Sequence, residues 1–163
     1  MNVADLGSAP GSWTQIVRER LTDKNGELKG RIIAMDILPM EPIDGVTFLQ
    51  GDFREQEVAD KLNEILGGDK LDVVISDMAP NLSGIAMVDA NASLLLNELA
   101  LDFAVEHLKP EGVFVTKAFQ GSGYSQFIEN CKKHFVSVAQ RKPEASRNSS
   151  AEMYVVARRL KQK

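Results

Sequence analysis

A chain of 163 residues, 44% apolar and 26% charged, has the size and balance of one soluble domain with a full hydrophobic core; no apolar run approaches the ~20 residues of a membrane helix and no charged-then-apolar leader opens it. Cys131 is the single cysteine and His107 and His134 have no metal-ligand spacing, so an internal disulfide is excluded, no metal site is expected, and a reducing cytoplasm is the expected compartment. A net charge of −4 and a pI near 5.2 argue against a protein coated in nucleic acid, so a nucleic-acid partner would have to meet a local basic patch or a basic segment outside these residues.

Residues 3–6 read as a short strand, followed by the loop Gly7-Ser8-Ala9-Pro10-Gly11. Trp13, Ile16, Val17 and Leu21 recur at helical spacing, and Asn25-Gly26 is a stop signal. RIIAMD is a buried-type strand ending at Asp36, and VTFLQGD ends a third strand at Asp52. Val58, Leu62, Ile65 and Leu66 make a helical apolar face closed by Gly67-Gly68, and LDVVISD is a fourth strand ending at Asp77. A long helix is expected over about 89–108, with Glu98, Asp102 and Glu106 as one wet stripe and the rest against a sheet. GVFVTKAF is a fifth strand with Lys117 near its end; YSQFIENCKKHF is a helix; VSVAQRK and EMYVVARR are the last two strands. Only these two follow one another without a helix, so they pair as an antiparallel hairpin at one edge. The remaining βαβ series predicts a mostly parallel sheet with helices on both faces, in a single domain over 1–163.

In such open sheets ligands sit outside the carboxyl ends of the strands. The first loop lacks the middle glycine of a G-x-G-x-x-G pyrophosphate cradle. Pro10 stiffens it and pushes Ala9 extended, while Gly7 and Gly11 still permit close backbone approach. The free N–H groups of the following helix can hold a carboxylate. A ligand with a carboxylate and no phosphate fits better than NAD. Asp36, Asp52 and Asp77 then fall at three carboxyl ends. One carboxylate can accept ribose hydroxyls, one an adenine amine, and one can attract a sulfonium; together these describe S-adenosylmethionine. A lone strand-end Asp is more often a turn former, and it is the set that carries the reading. Trp13 is a core anchor or a pocket wall.

Lys117 lies within an apolar strand and Glu152 starts the last one. If they converge with Asp77, they can bind a hydroxyl beside the methyl donor and help remove its proton. A free lysine titrates near 10.4, so a base role needs that value lowered, whereas neighbouring acids raise it. The sequence leaves Lys117 as either a perturbed base or a steering cation.

DLGSAPGSW, FLQGDF, SDMAPNLSG, KAFQGSGY and RKPEASRNSSAEMYVVA resemble, in order and over essentially the whole chain, the FtsJ (RrmJ, RlmE) family of ribosomal RNA large-subunit 2′-O-ribose methyltransferases. The resemblance implies a seven-stranded Rossmann-like fold and methyl transfer from S-adenosylmethionine to the 2′-hydroxyl of a uridine, with S-adenosylhomocysteine as product. It places donor binding on Gly11, Trp13, Asp36, Asp52 and Asp77, and Gly7, Ala9 and Pro10 of the same loop complete the candidate cofactor-binding set. Of the family's Lys-Asp-Lys-Glu set, it places three members on Asp77, Lys117 and Glu152. The first lysine of that set belongs to a basic segment upstream of the glycine loop, which these residues are expected to lack.

Lys132, Lys133, Arg141, Lys142, Arg147, Arg158 and Arg159 give the C-terminal third a basic character, and the RKPEASRNSS loop suits contact with phosphate oxygens. A 2′-hydroxyl acceptor means RNA and not DNA. A monomer acting on large-subunit RNA is expected, with no membrane partner. The rival readings are a small-molecule O-methyltransferase, a donor-binding assembly factor with little catalysis and, last, an NAD-dependent oxidoreductase.

Overall fold

The computed structural model describes residues 1–7, 24, 30–36, 39, 41–52, 55–77, 86–121, 123–142 and 152–161, with side chains left out at 86–91 and 93. The helix expected through Trp13 and Leu21 lies outside these residues. Seven strands form one sheet: β1 (Asn2–Leu6), β2 (Arg31–Asp36), β3 (Val46–Gln50), β4 (Leu71–Ser76), β5 (Leu108–Phe119), β6 (Phe135–Arg141) and β7 (Glu152–Leu160). Three described helices connect them: α1 (Gln56–Leu66), α2 (Ala86–His107) and α3 (Tyr124–His134).

The strand order is β3-β2-β1-β4-β5-β7-β6. β1 through β5 pair in parallel. β7 runs antiparallel to both β5 and β6, so the expected hairpin forms, with β6 at the edge and β7 inserted beside β5. The order reverses between β1 and β4, which creates the crevice where ligands of such sheets bind.

All three described helices pack on one face. Ala4, Leu6, Ile33, Val74, Phe114 and Val155 share a buried cluster with Leu62 of α1, Ala104 of α2 and Phe127 and Cys131 of α3. The alternation of strand side chains puts Val3, Ile32 and Ala34 on the other face, and they too are buried, so β1 and β2 are covered on both sides. On that second face Val73, Ile75, Val113, Val115 and Val156 are only half-buried. Among the described residues, no helix is long and apolar enough to cross a membrane.

Several boundaries shift by a few residues from the sequence expectation, and two of the shifts have clear local reasons. β5 begins four residues before GVFVTKAF, because Leu108 pairs with Leu71 and Val113 with Val73. Residues 109–112 bulge opposite Asp72, which accommodates Pro110 and lets Lys109 Nζ reach Asp72 Oδ1 at 3.2 Å. β3 ends at Gln50, because Gly51 turns away with φ 151° while its N–H donates to the Asp36 carbonyl. α1 closes as its sequence predicts: Val58, Leu62 and Leu66 are buried, and Gly67 at φ 59° donates its N–H to the Asn63 carbonyl. In the acidic stripe of α2, Asp102 and Glu106 are exposed, while Glu98 is half-buried and accepts a hydrogen bond from Asn130 of α3.

Candidate active site

The carboxyl ends of β3, β2, β1 and β4 stand side by side, tied by backbone bonds. Gly7 donates to the Met35 carbonyl at 2.8 Å, Gly51 to that of Asp36 at 2.8 Å, and Asp77 to that of Leu6 at 3.4 Å. Gly7 has φ 70°, so the chain leaves β1 through a conformation that favours glycine. Asp36, Asp52 and Asp77 therefore lie at the ends of β2, β3 and β4, all half-buried, with room for polar contact. Ala9, Pro10, Gly11 and Trp13 lie outside the described residues.

The second half of the site follows from two registers. Ser76 pairs with Thr116, so the next residues, Asp77 and Lys117, meet: Lys117 Nζ lies 2.7 Å from Asp77 Oδ1. β7 runs back along β5 with Glu152 opposite Phe119 and Tyr154 opposite Lys117, which brings Glu152 Oε1 to 3.9 Å from Lys117 Nζ. The Phe119 ring centroid is 5.7 Å from the same ammonium. Lys117 is 16% exposed, Asp77 21% and Glu152 38%, so the cluster is partly accessible to solvent. Beneath it, on the helix-covered face, the buried Thr116 hydroxyl donates to Asn97 Oδ1 of α2 at 3.4 Å.

Burial is the largest influence on Lys117 and pushes its pKa down. It is outweighed by the hydrogen bond and charge of Asp77, with help from Glu152 and Tyr154, and the ammonium is held above 10.5. Burial, then the Asp77 charge, raises the Tyr154 phenol above 10.0 against the opposing effect of Lys117. At neutral pH the cluster thus contains a lysine cation and a neutral tyrosine.

Tyr154 is the group sequence reading missed. Its place two residues after Glu152 puts both on one face of β7, but its facing Lys117 depends on the β5–β7 register. Asp5, the one fully buried carboxylate among the described residues, was also passed over; it sits in the strand that launches the glycine loop.

The basic residues grouped by sequence divide between two ends of the sheet. Arg141 faces Tyr154, near the site, and Lys142 follows it. Lys132 and Lys133 occupy the last turn of α3, which runs down to the start of β6, and Arg158 faces Val113 and Ser137. Arg158 lies four residues on from Tyr154, about 13 Å along the strand. Arg147 lies outside the described residues. Among the described residues no group of three His, Cys, Asp or Glu could hold a metal ion.

Residues 1–160 match the family model for FtsJ-like methyltransferases. The chain is 55% identical over 159 residues to ribosomal RNA large subunit methyltransferase E of Bordetella petrii, covering 98% of this chain and 75% of that one. It is 52% identical over 167 residues to the protein of the same name from Cupriavidus necator, covering 98% and 76%. In three dimensions it is similar to a Plasmodium falciparum protein described as a ribosomal RNA methyltransferase, with TM-score 0.84, 31% identity and 98% and 86% coverage. Human methyltransferase-like protein 13, crystallised with S-adenosylhomocysteine, shares the fold, with TM-score 0.67, 17% identity and 97% and 71% coverage.

Proposed function

The chain belongs to the FtsJ-like methyltransferase family, and from that premise we propose that it methylates the 2′-hydroxyl of a uridine ribose in large-subunit ribosomal RNA, using S-adenosylmethionine. The observation that carries this reading is the Asp77–Lys117–Glu152 cluster, placed beside the crevice between β1 and β4 that holds a ligand in this fold. A cytoplasmic monomer is part of the same reading.

The acids fit the donor. Asp36 at the end of β2 is placed to accept ribose hydroxyls, Asp52 after β3 to accept the adenine amine, and Asp77 to face the sulfonium. Gly7, with Ala9, Pro10, Gly11 and Trp13, would line the remainder. The donor supplies an electrophilic methyl group on a positively charged sulfur. Methyl transfer would join the acceptor oxygen to that methyl as the carbon–sulfur bond breaks with its electron pair going to sulfur, and the hydroxyl proton would pass to solvent.

Lys117, protonated at neutral pH, is suited to hold the 2′-oxygen and to offset negative charge as that proton departs. Asp77 and Glu152 fix the ammonium from two sides. Lys117 itself could accept the proton only if a second cation nearby lowered its pKa. Labelled-donor transfer onto undermethylated large subunits tests the reading. Label in a ribose 2′-methyl of the large RNA is expected; label passing to a small catechol and not to RNA overturns it.

A further inference from the structure

The site end of the sheet is acidic. Asp77, Lys117 and Glu152 sum to one negative charge, and Asp36 and Asp52 stand on neighbouring strands. A phosphodiester chain brought to Lys117 enters an unfavourable field unless a cation offsets it.

The registers supply that cation. Tyr154 lies opposite Lys117 in β5 and opposite Arg141 in β6. Residues directly opposite one another in neighbouring strands project from the same face. Lys117, Tyr154 and Arg141 therefore form a row across three strands, with Arg141 about 10 Å from Lys117 at the backbone, two strand spacings. Arg141 is exposed and makes no ion pair among the described residues, whereas Lys117 is already paired with Asp77. Of the other described basic residues in the C-terminal third, only Lys142 shares this end of the sheet.

We propose that the acceptor RNA strand crosses the sheet along this row, with the Arg141 guanidinium holding the phosphate next to the target ribose while Lys117 holds its 2′-oxygen. The proposal rests on the RNA reading above. Arg141 is a positioning residue: its planar fork suits two phosphate oxygens at once, and two attachments on one row orient the ribose, whereas one leaves it free to turn. The half-buried Tyr154 forms the floor between them.

The test is methyl transfer to undermethylated large-subunit RNA, and to an acceptor oligonucleotide spanning the methylated ribose with single flanking phosphates replaced by neutral methylphosphonates. Arg141→Ala should raise the RNA KM about tenfold or more and leave donor affinity unchanged. The salt slope of its RNA binding should fall by about 0.7–0.9 for the one lost contact. Arg141→Lys should recover part of the loss. Arg158→Ala, on the same face but far down β7, should change none of these. One neutral linkage should weaken the wild type and leave Arg141→Ala unaffected. An unaltered KM and salt slope in Arg141→Ala, or an equal penalty from every neutral linkage in both proteins, would overturn the assignment. A wild-type protein that binds donor and methylates no RNA overturns the acceptor reading itself, and this row with it.

Discussion

The Lys117 ammonium and the Asp77 carboxylate lie 2.7 Å apart because the pairing of Ser76 with Thr116 sets the next residue of each strand side by side on one face. Lys117→Met should remove the cation without changing the length of the side chain much. Methyl transfer in a single turnover should fall by at least about 100-fold, while donor affinity measured by calorimetry stays within about twofold. A parallel loss of donor binding would mean that Lys117 serves the donor pocket and not the acceptor.

The same pair makes stability depend on alkaline pH. The Lys117 pKa is raised above 10.5 in the folded protein, so its contribution is fully present below the unfolded value and is lost as pH rises through the folded one. The difference in denaturation midpoint between wild type and Lys117→Met should be constant from about pH 7 to 10 and shrink above that. A difference that grows with alkalinity contradicts the sign.

Asp36 offers a test of the donor assignment alone. Its place at the end of β2, beside the Gly51 turn, suits a ribose diol. Asp36→Ala should weaken S-adenosylhomocysteine binding by roughly 1–3 kcal/mol in calorimetric titrations. Unchanged affinity, or tight NAD binding by the wild type, would remove the residue from the pocket.

Cys131 reports on opening of the opposite face. It is fully buried in α3, and burial, then the charge of Glu98, pushes its thiol up to about 12. Native protein at neutral pH should resist alkylation, and the slow labelling that occurs should quicken in step with denaturant, following exposure of the core. Prompt stoichiometric labelling of native protein would show that α3 is not docked as described.

The elements were largely legible because each follows a local rule. The Val58–Leu62–Leu66 face with Gly67 behind it gave α1, and the continuous apolar run at Arg31–Asp36 gave a strand buried on both faces. Asp77, Lys117 and Glu152 stood out by their motifs, and the fold brings the three together. Tyr154 was not, because its significance comes from standing across a strand pair from Lys117, and pairing register is a property of two distant segments. The split of the basic residues was hidden for a related reason: Arg141 and Arg158 are both near the C-terminus, but β6 and β7 run in opposite directions, so residues far apart in sequence can be level and near ones distant.

The insertion of β7 between β5 and β6 also sets an order of assembly. Every residue proposed for donor binding, from Gly7 to Asp77, is synthesised before β5, β6 and β7. Glu152 and Tyr154 arrive on β7, the last of the seven described strands in chain order, which takes its place between β5 and β6, both made before it. A nascent chain can therefore form the β1–β4 half of the sheet early, but the half that joins Lys117 to Glu152 closes only once β7 has been made.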